Sequence, residues 1–429
     1  MVSANRRFAK GSSRSHRRPA LILAGALTAS LLSGCGGSGG VPIINLYGGA
    51  SETGFDKIIA ECNQQAHGAY KIVGNLLPSD ADGQREQLVR RLAAHSDSMD
   101  LLGLDVTWTA EFAQAGWIRE LTGAQRTAAS KDVVKPALDT ATWQGKLYAI
   151  PKHTNVQLLW YRKSLTPKPP TTWDQVVADA KRLKGEGKPH VISVTAREYE
   201  GYVVLFNTIL SSLGGTIVNA DSTQVTIDDK TTRALTIIHA LATDGLGSKS
   251  MSVSEEPEVF AQIQRGEAAF ALNWPYTYGS MKTANPAVYK DLAWTTLPSF
   301  APGQPGRATL GGMNLAISSY SKHPQQAYDA AMCLRSPAHE IEFAAAGNEP
   351  PVLASLYRNK QLQAAYPEYK EILAELRTAV PRPATPLYQN ISTLISSTLS
   401  PPASIDPPAT TQQLTSSIQQ AIDGKGILP

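Results

Sequence analysis

Three cysteines, eight histidines and 36 Asp and Glu side chains are the residues of this chain with the chemistry for metal, thiol or proton-transfer work. Their spacing forms none of the usual arrangements. The histidines are scattered, with no His-x-x-Glu-His run and no Cys-x-x-Cys pair, so neither zinc-ligand spacing nor a thiol redox site is present. No Gly-x-Ser-x-Gly elbow marks a nucleophilic serine. No glycine-rich loop suits a phosphate, since Gly214-Gly215 and Gly311-Gly312 are lone pairs. Carboxylates are plentiful, but glycoside hydrolysis needs two of them at a defined separation across a cleft. A surface glycosidase acting on small α-glucosides therefore stays open on residue counts. No catalytic residue, metal or cofactor is assigned.

The N-terminus carries a different chemistry. Arg6, Arg7, Lys10, Arg14, Arg17 and Arg18 precede an uncharged run from Pro19 to Leu32, with no acid among them. That run is about 14 residues long, and a membrane-spanning helix needs about 20. A basic segment, a short apolar segment and small residues before a cleavage point describe a signal peptide. Leu32-Ser33-Gly34-Cys35 resembles a bacterial lipobox, in which the cysteine thiol is diacylated and becomes the new N-terminus. The alternative is an ordinary secretory signal with an incidental cysteine. We therefore expect a lipoprotein signal over 1–34, a flexible tether over 35–40, and a protein anchored by lipid to the outer face of the cell membrane. Asn5-Arg6-Arg7-Phe8-Ala9-Lys10 only faintly matches a twin-arginine signal, so the general secretory route is favoured.

Removing the signal changes the charge balance, leaving 34 basic against 36 acidic side chains. The basicity belongs to the signal, and no nucleic-acid footprint survives it. With Cys35 assigned to lipid, Cys62 and Cys333 form one even pair in an oxidising compartment, which predicts a disulfide. Two buried free thiols are the alternative. Such a bridge would bring opposite ends of the chain together.

The elements that must position any site alternate between strand and helix. Short apolar strands are expected at Ile43 to Tyr47, Asp100 to Leu104, Leu147 to Pro151, Val156 to Tyr161, Ala268 to Leu272 and Leu310 to Ser318. Helical spacing begins at Phe55 and covers Gln84 to Ala94, Trp173 to Leu183, 200–213, 231–243 and 256–265. The strands at 147–151 and 156–161 meet at a crossing near Thr154-Asn155, and Ser400 to Pro408 is expected to be a Pro-rich surface loop. This alternation indicates α/β architecture with parallel or mixed sheets. The length suits two domains.

Several segments together carry a family resemblance. Asp100 to Asp105 with Trp108 to Trp117, Asn155 to Arg162 with Pro169 to Trp173, Phe260 to Gly266 with Ala268 to Pro275, and Gly311 to Ile317 resemble extracellular sugar-binding proteins of ABC importers (solute-binding protein family 1). Within that family Arg382-Pro383-Ala384-Thr385-Pro386 and the C-terminal stretch from Ala421 to Pro429 are most similar to the trehalose-binding lipoproteins of mycobacteria. The resemblance implies a periplasmic-binding-protein-like fold, two α/β lobes around a ligand cleft. The chain would cross near 153, 299 and 350, giving one lobe from 41–153 with 300–350 and another from 154–299 with 351–429. It implies a non-enzymatic protein that binds an α-linked disaccharide, trehalose foremost, and hands it to membrane permease subunits. A cell-wall adhesion or structural lipoprotein is the competing class.

A sugar presents hydroxyl edges, which need paired donors and acceptors, and apolar faces, which need aromatic platforms. On that basis the resemblance assigns ligand contacts to Glu52, Asp105, Asn155, Glu200, Trp274, Gly312 and Arg382. Each has a structural alternative. Asp105 would cap a helix over Thr107 to Ala113, and Asn155 would satisfy hinge backbone. Trp274 would pack in the core, and Arg382 would form an exposed salt bridge. Glu52 would face a helix dipole, and Gly312 would simply end a strand. Met313 stands where related disaccharide binders can carry Trp.

Overall fold

A computed structural model describes residues 40–48, 54–301, 303–346 and 349–425. The signal, Cys35 and Glu52 lie outside these residues.

Two sheets organise the chain from Val41 onward. The first contains β1 (Ile43–Gly48), β2 (Lys71–Leu76), β3 (Leu101–Asp105), β4 (Ala149–Val156) and, from late in the sequence, the strand Leu310–Ile317. The second contains β5 (Leu158–Arg162), β6 (Val191–Ser193), β7 (Ala268–Asn273) and β8 (Leu292–Thr295); the late strand Leu310–Ile317 is thus β9. The first sheet runs β2-β1-β3-β9-β4, with β1 parallel to β2 and β3 and with β9 antiparallel to both neighbours. The second runs β8-β5-β7-β6, mixed in the same way. Each sheet has its own core. Ile44, Leu46, Leu102, Leu104, Ile150 and Leu315 belong to one; Leu159, Trp160, Phe206, Phe270 and Leu272 belong to the other.

The strand expected to break at Thr154-Asn155 does not. β4 is buried along its whole length and continues to Val156, and β5 begins at Leu158, so the chain passes between sheets at Gln157. β9 pairs with the backbone here, Gly312 opposite Thr154 and Gly311 opposite Asn155. The helix expected from Gln84 starts at Ala81, because the Asp80 carboxylate accepts from the Gly83 N–H at 2.8 Å and caps it. The Pro-rich stretch 400–408 is not a plain loop. A short 3-10 turn covers Pro402–Ser404 and a helix begins at Pro407, where proline's missing N–H costs nothing. β2, β6 and β8 escaped the sequence reading. They are short, and Gly74 and Asn75 interrupt the apolar pattern of β2.

Cys62 and Cys333 form a disulfide between the helices Phe55–Gln65 and Pro324–Leu334, with Cα atoms 5.9 Å apart. Both helices pack on the first sheet's core, so the bridge ties the early and late parts of that half together. Among the described residues no helix is long and apolar enough to cross a membrane.

Candidate functional site

The register of β9 brings the first group of polar residues together. Met313 stands opposite Asp105 on β3 and opposite His153 on β4, and Gly311 stands opposite Asn155. The second group comes from the other sheet. Leu158 pairs with Asn273, which places Trp274 just past the end of β7 and facing the same space. The helices Glu200–Ser212 and Glu256–Gln264 begin beside it. Between the two groups lies a cavity of about 690 Å³, within the range of small-ligand sites. Asp105, Asn155, Glu200, Trp274, Gly312 and Arg382 all line it. Only Glu52 of the expected set is not placed, being outside the described residues.

Arg382 is the bridge. It is 5% exposed, and its guanidinium donates to Glu200 Oε1, to the Leu310 carbonyl at 3.2 Å and to Asp105 Oδ1 at 3.5 Å. The surface salt bridge considered from sequence is therefore replaced by a buried one. Burial alone would lower the Arg382 pKa, but Asp105 and Glu200 together more than offset this and raise it. Burial pushes the Glu200 carboxyl up, against the opposing pull of Arg382. Glu200 also accepts from the Tyr388 and Ser392 hydroxyls, so both its oxygens are occupied. Although it lines the cavity, in this arrangement it holds Arg382.

Asp105 does not cap a helix. Its Oδ1 accepts from the Thr107 N–H at 2.9 Å and the Thr107 hydroxyl at 2.7 Å, closing a turn, while the helix begins only at Thr109. The hydrogen bonds it makes among the described residues all use Oδ1, leaving Oδ2 to accept from a ligand. His153 and Asn155 are buried, and His153 Nδ1 and Asn155 Oδ1 have no hydrogen-bond partner among the described residues. Burial, then Lys152, holds the His153 pKa well below its usual value, so the ring is neutral. Unpaired buried polar atoms cost about 1–3 kcal/mol each. Both residues line the cavity.

Trp274 is only half-buried and stands outside the second sheet's buried core. Its Nε1 lies 3.4 Å from Glu256 Oε1. Its ring edge rests against Gly311, where a Cβ would come within 2.9 Å of the indole. Glu256 also accepts from the Tyr199 hydroxyl, and its carbonyl accepts from Asn273 Nδ2 and the Tyr276 hydroxyl, both at 3.2 Å. Gly312 has a structural reason of its own. Its φ is +130° and an added Cβ would sit 2.4 Å from the His153 carbonyl, so close strand packing requires glycine there.

Asp80, Gln84, His153, Glu255, Glu256 and Tyr276 also line the cavity and were not singled out from sequence. Asp80 and Glu255 are N-caps of helices, a local role sufficient to account for them. No spacing signal marks them as cavity residues as well.

A probable ABC transporter-binding protein of Deinococcus radiodurans is 29% identical over 348 residues, covering 77% of this chain and 81% of the relative. The maltose-bound MalE3 structure of T. maritima superposes with a TM-score of 0.80 at 24% identity, covering 88% of this chain and 99% of that one. An ABC transporter solute-binding protein of Thermotoga lettingae bound to α-D-tagatose gives 0.78 at 20% identity, covering 89% and 100%. These likenesses establish the fold as that of periplasmic binding proteins, and the matched proteins are binders of solutes, not enzymes. Neither the hydrolase nor the adhesion alternative finds support among them. The family model for bacterial extracellular solute-binding proteins matches residues 49–340, and the chain belongs to that family.

Proposed function

We propose that this chain is the lipid-anchored, sugar-binding subunit of an ABC importer, that its cleft takes an α-linked disaccharide, trehalose foremost, and that it delivers this cargo to a membrane permease. The observation that carries the reading is the pairing of unsatisfied His153 Nδ1 and Asn155 Oδ1 with an aromatic platform, Trp274, across one cavity. A disaccharide offers hydroxyls for the first wall and an apolar ring face for the second. Cavity size, the maltose carried by one structural neighbour and the transporter name of the Deinococcus relative support the same class. Cys35 would hold the lipid.

In this reading Asp105, Asn155, Trp274 and Arg382 contact the sugar, Gly312 lets it approach the backbone, and Glu200 fixes Arg382. Glu52 is proposed as a further contact. The lobes are proposed as 41–153 with 300–350 and 154–299 with 351–429, closing on the sugar because its contacts come from both. A thermal-shift panel of mono- and disaccharides tests this, since a ligand that binds only the native form raises apparent stability by mass action. Trehalose should give the largest shift and maltose a smaller one. Equal shifts would remove trehalose from the proposal, and no shift with any sugar would remove the sugar.

A further inference from the structure

Three helices begin at the cavity wall, and each begins with an acid. Asp80 caps Ala81–Ala93, Glu200 is the first residue of Glu200–Ser212, and Glu255 caps Glu256–Gln264, with Glu256 as its first residue. A helix N-terminus exposes free N–H groups and a partial positive charge, which makes it the ordinary protein device for holding a phosphate. Two of these places are taken by the helices' own caps, while the Glu200 carboxylate turns instead to Arg382, Tyr388 and Ser392. The Asp80 carboxylate already accepts from Gly83 N, and Glu255 and Glu258 form a reciprocal cap.

The cavity's charge has the same sign. Asp80, Asp105, Glu200, Glu255, Glu256 and Glu349 line it, and among the described residues Arg382 is the only Lys or Arg that does. The Arg382 charge is already shared between Asp105 and Glu200. Arg197 pairs with Glu255 from outside the lining. Glu256 has two neutral donors, Trp274 Nε1 and the Tyr199 hydroxyl. The Tyr199 hydroxyl is pushed well above its usual pKa by burial and then by the Glu256 charge. The opposite wall holds unsatisfied polar atoms. His153 and Asn155, each more than nine-tenths buried, carry unpartnered Nδ1 and Oδ1 atoms. Asn155 Oδ1 can only accept, so it requires a donor. A hydroxyl or an ammonium group supplies one, and a phosphate or carboxylate oxygen does not.

We propose that the cleft selects its cargo by charge, admitting neutral and ammonium-bearing disaccharides and rejecting those that carry a phosphate or a uronate. The inference rests on the disaccharide reading above and adds to it a chemical class that is kept out. Asp80 and Glu256 set the sign, because neither carboxylate is paired with a cation among the described residues.

The test is calorimetric titration of the protein with trehalose, with trehalose bearing a phosphate monoester at one primary hydroxyl, and with trehalose whose primary hydroxyl is replaced by an amine. The phosphate ester is expected to bind at least a hundredfold more weakly than trehalose, and the amine within threefold of it or more tightly. In the double variant Asp80→Asn with Glu256→Gln, the amide oxygen at 80 keeps the cap, and at 256 the amide oxygen accepts from Trp274 Nε1 while the amide NH2 donates to the Tyr199 hydroxyl, so two charges are removed. The ratio of phosphate to neutral dissociation constants should then fall at least tenfold. Because that ratio is internal to each variant, a general loosening of Trp274 does not move it. A phosphate ester inside the hundredfold margin, an amine more than threefold weaker, or a ratio that falls less than tenfold in the double variant overturns the proposal. If none of the three sugars saturates, the disaccharide reading falls first and the charge selection falls with it.

Discussion

The two walls of the cleft are built on opposite principles. On the wall formed by β4, the cavity-lining His153 and Asn155 each keep a buried polar atom with no partner among the described residues. On the wall formed around the end of β7, Glu256, Tyr199, Asn273, Trp274 and Tyr276 bond to one another in a closed network. A satisfied network fixes side chains in one geometry, while an unsatisfied one leaves hydrogen-bonding capacity in reserve. One wall therefore supplies shape before any ligand arrives, and the other supplies the donors and acceptors that a ligand completes. Arg382 joins them, reaching Asp105 from the first sheet and Glu200 beside the second.

Breaking the join should have the largest effect. Arg382→Ala leaves Glu200 buried without its cation, and removing one partner of a buried pair costs about 3–5 kcal/mol. The expected result is a clear loss of stability in denaturant titration together with at least a hundredfold weaker trehalose binding. Arg382 thus combines two roles that the sequence reading treated as separable, binding and folding. Arg382→Ala with unchanged stability would show that the pair to Glu200 contributes nothing net.

The shaped wall comes next. Trp274→Ala removes the platform and should weaken trehalose at least tenfold, about 1.4 kcal/mol or more, while the melting temperature changes little because Trp274 is only half-buried. A large fall in melting temperature with normal affinity would place Trp274 in the core instead. The reserved wall gives the opposite signature. Asn155→Ala deletes an unpaired acceptor, so stability should hold or rise while affinity falls roughly tenfold, within the 0.5–1.5 kcal/mol usual for a hydrogen bond. Equal losses of stability and affinity would mean that Asn155 supports the crossing backbone.

Some of this was legible in the sequence and some was not, for reasons that differ by residue. Asp105, Asn155, Trp274 and Arg382 stood in segments that resemble a family, and the resemblance carried them to one cavity without any contact being visible. The odd cysteine count pointed to the pairing of Cys62 with Cys333. The Glu200–Arg382 pair spans 182 residues of sequence, and no local pattern encodes a contact at that distance. Glu256 and Asp80 were hidden for another reason. Acids at helix starts have a sufficient local explanation as caps, so their second position, facing the cavity, leaves no trace in the pattern. The continuation of β4 to Val156 left no mark in the sequence, because it is held by pairing with β9, more than 150 residues away.

The smallest effect on binding should come from a carboxyl outside the cleft. Glu340 is buried and accepts from the Val352 and Leu353 N–H groups, holding the returning chain, and burial pushes its carboxyl up to about 8. Its folded pKa exceeds the ordinary carboxylate value near 4.5. The folded state therefore keeps a proton that the unfolded state releases, and stability declines as pH rises from about 4.5 to about 8. Glu340→Gln should flatten that decline and leave trehalose affinity within about twofold, as denaturant titrations at pH 5 and pH 8 with a matching calorimetric titration would show. An affinity change as large as that of Asn155→Ala would extend the reserved wall to the returning segment.

Calorimetric titration of trehalose into the protein tests the central claim most directly. The account predicts one saturable site per chain, a negative heat-capacity change as the apolar sugar face meets Trp274, and displacement of maltose by trehalose. Heats that stay at the dilution level for both disaccharides, with the protein folded, would contradict it.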